Sequence, residues 1–195
     1  MALDAVDAIR QLQDRSSAKR RSAAKQLRKL GDPNAGPALL EALKNEVRDS
    51  RTWETQYQMT MALGTCGSPS DLPYLRDLVL QRETLHAVHT AGGDAIVRLS
   101  HMEHSHAEAI RWCLTTGNET LVGGALQAVA MLRLAPDQET VTDVLDFIEA
   151  KSCPVNDLRV VSGMVDHGGD RWSIRRERGC ASGRCRAWHG GRRRL

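Results

Sequence analysis

Apolar residues recur along this chain at spacings of three and four, interrupted at short intervals by Gly and Pro. In residues 2–13, Leu3, Val6, Ile9 and Leu12 lie three apart, which predicts a short helix with one apolar stripe. Ser16 and Ser17 stand where the next helix would be capped, and Ala23, Ala24, Leu27 and Leu30 form its inward side up to Gly31. Lys19, Arg20, Arg21, Lys25, Arg28 and Lys29 then lie mostly toward water. Asp32–Pro33–Asn34 reads as a turn, and Pro37 opens a second helix with Leu39, Leu40 and Leu43 inside. One unit is helix, tight turn, helix.

The unit is repeated. GDPNAGPALLEAL from Gly31 returns as GSPSDLPYLRDLV from Gly67, and Gly31/Gly67, Pro33/Pro69 and Pro37/Pro73 all share an offset of 36. Ala23, Leu27 and Leu30 fall on Met59, Leu63 and Cys66 in that register. The third unit has Ala95, Ile96, Leu99 and Met102 in its first helix and Ile110, Cys113 and Leu114 in its second. The fourth has Leu126, Val129 and Leu132, a turn at Ala135–Pro136–Asp137, then Val141, Val144, Leu145 and Ile148. Units therefore span about 16–48, 50–84, 87–117 and 121–150, and Asp157 opens a partial fifth over 155–165. The second-helix core of unit two is Leu75, Leu78 and Val79. Such helix pairs cannot bury their apolar faces alone, so stacking is expected: an all-α, right-handed α-solenoid of four to five pairs. Gly92–Gly93 and Gly123–Gly124 fall near the starts of two first helices, where Gly costs about 1 kcal/mol against Ala. Close approach of adjacent helices is the expected compensation.

Composition agrees with helices packed through small residues. Ala and Leu are abundant and there are only one Phe, two Tyr and four Trp, which excludes an aromatic-rich β-sandwich. The start, MALDAVDAIRQLQDR, does not read as a secretion signal, and no apolar run approaches the ~18 residues of a membrane span. Five scattered cysteines make no disulfide framework, so reduced thiols and a cytoplasmic setting are expected. The net charge of +3 conceals a split. Residues 171–195 hold nine Arg and one Glu, or +8, leaving 18 bases against 23 acids, or −5, in the other 170. Residues 1–165 thus read as the repeat domain and 166–195 as a basic tail too poor in apolar residues to pack. The tail has two readings. It is an arm for nucleic acid or an acidic partner, with Arg for phosphates and Trp172 and Trp188 for stacking. Alternatively, its Arg, Gly, Cys and Trp are what a GC-rich gene gives when read out of frame.

Candidate chemistry is sparse. HMEHSHAE places His101, His104 and His106 with Glu103 and Glu108 within a few residues, but on the turn of unit three and without a zinc-site spacing. His86 and His89 share a helix face without completing a site, and Cys180, Cys185 and His189 lack a fourth ligand. Cys66 and Cys113 read as buried thiols. There is no phosphate loop, dinucleotide fingerprint or nucleophile elbow, and the glycines of GMVDHGGD follow none of those orders. No catalytic residue, metal or cofactor is expected.

RRSAAKQLRKLGDPNAGPALLEALKN resembles a HEAT repeat of the short kind also found in phycobilisome lyases. Arg20, Ala23, Ala24, Leu27, Gly31, Asp32, Pro33 and Leu39 fill the family's places, and the resemblance runs over roughly residues 16–150. Where the family would repeat the Arg, this chain has Gln56 and then Gly92. The resemblance implies a binding solenoid, with a lyase or lyase-chaperone attaching a bilin to a client cysteine as an alternative.

On such a stack the second helices are expected to line a concave surface carrying Glu41, Lys44, Arg76, Asp77, Arg111, Asp143, Asp146 and Glu149. Trp53 and Tyr57, four apart, either pack under the loop 45–52 or anchor a partner. The leading expectation is a non-catalytic scaffold for a protein partner, with no membrane. Nucleic-acid binding through 171–195 is the remaining alternative.

Overall fold

The computed structural model describes residues 4–81 and 86–151. Among the described residues there are nine α-helices and no strand. A short leading helix, α1 (Ala5–Gln11), is followed by four helix pairs. These are α2 (Ser17–Leu30) with α3 (Gly36–Glu46), α4 (Trp53–Cys66) with α5 (Leu72–Gln81), α6 (His86–His101) with α7 (His106–Thr115), and α8 (Glu119–Leu132) with α9 (Gln138–Lys151). The all-α stack expected from the periodicity is what forms.

Local chemistry sets the element ends. The Asp4 carboxylate accepts the Asp7 N–H at 2.7 Å and starts α1. Gly31, at φ 64°, lets its N–H reach Leu27 O at 2.9 Å and close α2. The Asp32 side chain then accepts from Asn34 N–H at 2.9 Å, seating the 3-10 turn Pro33–Ala35 ahead of α3. Asn118 caps α8 by accepting from Leu121 N–H at 3.0 Å, and Asp137 caps α9 by accepting from Thr140 N–H at 2.8 Å. Gly67 repeats the letter of Gly31 but not its conformation, being extended at φ −78°, ψ −171°. A Cβ there would press within 2.5 Å of Leu63 O and 2.8 Å of Asp71 Oδ2, so the second glycine serves close approach, not chirality.

The first helices form one tightly packed row, α2 on α4, α4 on α6 and α6 on α8, while the second helices lean on the next unit's first helix. Leu27, Met59, Leu63, Ile96, Leu99, Leu121 and Val129 fill the row, and Leu39, Leu43, Leu75, Ile110 and Val144 seal it from the second helices. Glycines make the spacing possible. A Cβ on Gly64 would come within 2.6 Å of Ala95 Cα, and one on Gly93 within 2.8 Å of Ala125 N. One on Gly124 would overlap the Thr90 backbone, and one on Gly92 the Val79 side chain. The close approach expected of Gly92, Gly93 and Gly124 therefore holds, although they lie inside α6 and α8 and not near the helix starts. Gly123 departs from the expectation, with nothing among the described residues within 4 Å of its Cβ position.

Several inward assignments need correction. Leu30 is 47% exposed, because it is the last residue of α2 and points about 60° away from Leu27, beyond the covered face. Met102 is 60% exposed, since α6 ends at His101 and Met102 belongs to the turn. The stripe of α1 runs through Ala8 and Leu12, four apart, leaving Val6 exposed; Leu3 lies outside the described residues. Ser16 occupies the N-cap of α2 without a side-chain cap bond, and Ser17 uses its hydroxyl elsewhere, on Glu46 at 3.2 Å. Leu132 is only half-buried, whereas Leu134 is drawn in as Arg133 adopts φ 54° and Leu134 N–H bonds Val129 O at 3.0 Å.

Candidate interaction surface

The eight charged residues expected on the second helices do lie there, but they divide into two sets. The cations are used inside the stack. Lys44 of α3 holds its ammonium 5.7 Å from the centre of the Tyr74 ring on α5. Arg76 of α5 holds its guanidinium 5.0 Å from the centre of the Trp112 ring on α7. Arg111 of α7 reaches Glu139 at 3.1 Å and Asp137 at 3.6 Å, at the start of α9. Each of α3, α5 and α7 thus sends one cation to the pair that follows, bridging second helices that sit further apart than the first.

The acids are left outward. Glu41, Asp77, Asp146 and Glu149 are exposed and Asp143 half-buried, and among the described residues none of the five forms an ion pair. The second-helix face therefore presents cations engaged between units and carboxylates without an ion pair among the described residues, in keeping with the net −5 of the first 170 residues.

Trp53 and Tyr57 part company. Trp53, at the N-terminus of α4, is 45% exposed, while Tyr57 is half-buried. The loop 45–52 is held by Gln56 between them, which is fully buried and donates from Nε2 to Asp49 O at 2.7 Å and Glu46 O at 3.2 Å. Asp49 also accepts the Arg51 N–H at 3.0 Å and the Arg51 guanidinium at 2.9 Å, which lowers its carboxyl pKa to about 2.

Gln56 stands at the place of the family's Arg, and the structure shows that both do the same work. Arg20 donates from Nη1 to Asp14 O at 2.8 Å and Arg15 O at 3.0 Å, tying the chain end that precedes α2. It also grips the buried Glu46 carboxylate through Nε at 2.6 Å and Nη2 at 2.8 Å. Arg20 is thus not one of the water-facing bases of α2, and Arg21 pairs with Glu54 of α4. In the third unit Gly92 cannot play this part, and His89, one turn earlier, takes it over with Nε2 3.0 Å from Val79 O. The first helices of the first three units each tie the segment that precedes them with a different donor.

The histidine cluster falls on the turn between α6 and α7. His101 and His106 meet edge to face with ring centres 5.6 Å apart, and His104 takes a left-handed conformation at φ 60°. Among the described residues no three or more His, Cys, Asp or Glu side chains gather as a metal site. His89 is committed to Val79, and Cys180, Cys185 and His189 lie outside the described residues, as does the whole basic tail. Cys66 and Cys113 are buried thiols, pushed up by desolvation to about 11 and about 12, so neither is a nucleophile. One polar pairing is signalled in the sequence only by a spacing of four, with nothing to mark its burial. Asp94, buried in α6, receives Arg98 at 2.6 and 2.9 Å one turn on.

No helix among the described residues is long and apolar enough to cross a membrane. Comparison with curated proteins and with solved structures gave no match. Residues 6–91, from α1 into α6, match the family model of HEAT repeats. The match is to HEAT repeats in general and carries no assignment to the phycobilisome lyase type. Residues 6–91 thus carry HEAT repeats, and further helix pairs continue in the same stack to Lys151.

Proposed function

We propose that this protein is a non-catalytic scaffold that holds a protein partner against the second-helix face of its repeats. HEAT-repeat stacks present extended surfaces whose common use is protein binding. The observation that carries the reading here is the division of charge on that face. Lys44, Arg76 and Arg111 are engaged in contacts between units, whereas Glu41, Asp77, Asp146 and Glu149 are exposed and form no ion pair among the described residues. A surface of spaced carboxylates selects a partner with Lys or Arg at matching intervals, by complementarity that acts on encounter rate and register. Trp53, exposed at the start of α4, supplies an aromatic contact of the type enriched in binding hot spots.

The test is affinity capture from native extract with the full chain and with a Glu41→Lys/Asp77→Lys/Asp146→Lys variant in parallel. A discrete protein should bind the parent and be lost from the variant, at unchanged melting temperature. Equal capture by both would remove the second-helix face from the function. Material lost on nuclease treatment would transfer the function to nucleic acid and the residues after 170.

A further inference from the structure

The first helices carry a ladder of glycines, Gly64 in α4, Gly93 in α6 and Gly123 in α8, separated by 29 and 30 residues. The first two are seats for the next first helix, filled by Ala95 of α6 and by the Leu121–Ala125 turn of α8. The third seat is open: nothing among the described residues lies within 4 Å of a Cβ at Gly123. Gly123 lies in a groove of about 600 Å³ formed with Val122, Leu126, Gln127, Phe147 and Ile148 of α8 and α9. Met131, two turns beyond Gly123 on the same side of α8, is 67% exposed. The forward side of the fourth unit is thus built like that of the second and third, but no described residue covers it.

We propose that residues 157–165 of this same chain occupy the groove as the first helix of a fifth unit. The chain continues for 44 residues past Lys151, at the end of α9. The five residues 152–156 are close in number to the four between α5 and α6 and the three between α7 and α8. Leu158, Val161 and Val165 have helical spacing, and Ser162 and Gly163 put small residues beside them, as Ala95 and Ala125 are small where Gly64 and Gly93 receive them. Setting Gly169–Asp170 on Gly31–Asp32 places Val161, Ser162 and Val165 on Ala23, Ala24 and Leu27, all three of which are buried in α2. An end face left apolar is what terminal units of such stacks must cover.

The experiment is amide hydrogen exchange on the full chain. Peptides across 157–165 should exchange at least about tenfold slower than an unstructured chain, since docking protects helical amides. Gly123→Trp, which fills the groove, should return them to unstructured rates while α2 and α4 keep their protection. A second probe avoids dependence on that bulky residue. In Gln127→Cys the introduced thiol should react with maleimide at least about tenfold faster once Val161→Asp and Val165→Asp undock the segment. Unstructured exchange across 157–165 in the parent, or equal maleimide reactivity with and without the two aspartates, overturns the proposal. Protection that disappears on dilution, alongside a dimer in sedimentation, assigns the groove to a second copy and overturns it as well.

Discussion

The Glu46 carboxylate at the end of α3, 5% exposed, is held by both forward edges of the Arg20 guanidinium from α2, at 2.6 and 2.8 Å. Ser17 adds a hydroxyl at 3.2 Å and itself meets Thr55 of α4 at 2.7 Å, so one ion pair joins three helices. Glu46 raises the Arg20 pKa, chiefly through their hydrogen bond.

Removing one partner leaves the other charge without compensation. Arg20→Ala should cost about 2–4 kcal/mol, because Glu46 stays buried and the Asp14 and Arg15 carbonyls lose their donor. Glu46→Gln should cost less, since an amide still accepts one guanidinium bond. Urea melts of the two variants should rank in that order; equal stability of Arg20→Ala and parent would deny the pair a structural role.

The glycine seats predict an inversion of helix propensity. Gly93→Ala and Gly124→Ala both add a better helix former by about 1 kcal/mol. Both nevertheless force α6 and α8 apart, because the new methyl meets the Leu121–Ala125 backbone in one case and Thr90 in the other. Each should be destabilised by a net ~1–3 kcal/mol, read as a lowered melting temperature. Gly117→Ala is strained for a different reason: it has open space but sits at φ 68°.

Arg76 over Trp112 is the contact between α5 and α7, and it tests whether the wider row is coupled. A double-mutant cycle of Arg76→Met and Trp112→Leu should return a coupling of about 0.5–1 kcal/mol. A coupling of zero would mean that this ring contact does not link α5 to α7.

Thiol labelling tests the two buried cysteines. In the folded chain Cys66 and Cys113 should resist iodoacetamide at pH 8, well below their raised values of about 11 and about 12, and react only on unfolding. Peptide mass spectrometry reads both sites directly; rapid modification of Cys113 at native pH would place it in a more open environment than this structure gives it.

The loop between α3 and α4 should be acid-sensitive. Asp49 drops from its usual 3.8 to about 2 on folding because its carboxylate is bonded by Arg51. A depressed value contributes stability that is present above pH 3.8 and is lost as pH falls toward 2. Amide exchange of residues 49–52 should accelerate across that window, and Asp49→Asn should remove the dependence.

The sequence by itself determined what depends on neighbours a few residues away. Helix period, the Gly31 and Pro33 punctuation and the recurrence of the pair are local properties, and they sufficed for the all-α stack. They could not tell identical letters apart. Gly31 is needed for a positive φ and Gly67 for room against Leu63, while Gly124 is pressed against Thr90 and its neighbour Gly123 has no described residue within 4 Å of its Cβ position. Only the tertiary structure decided which bases of α2 face water, since Arg20 is turned inward by Glu46, a residue 26 positions away. It likewise substituted Gln56 and His89 for the family's Arg, because any donor of sufficient reach can satisfy a helix-end carbonyl. Burial and partner choice are properties of residues far apart in the chain, and periodicity carries no information about them.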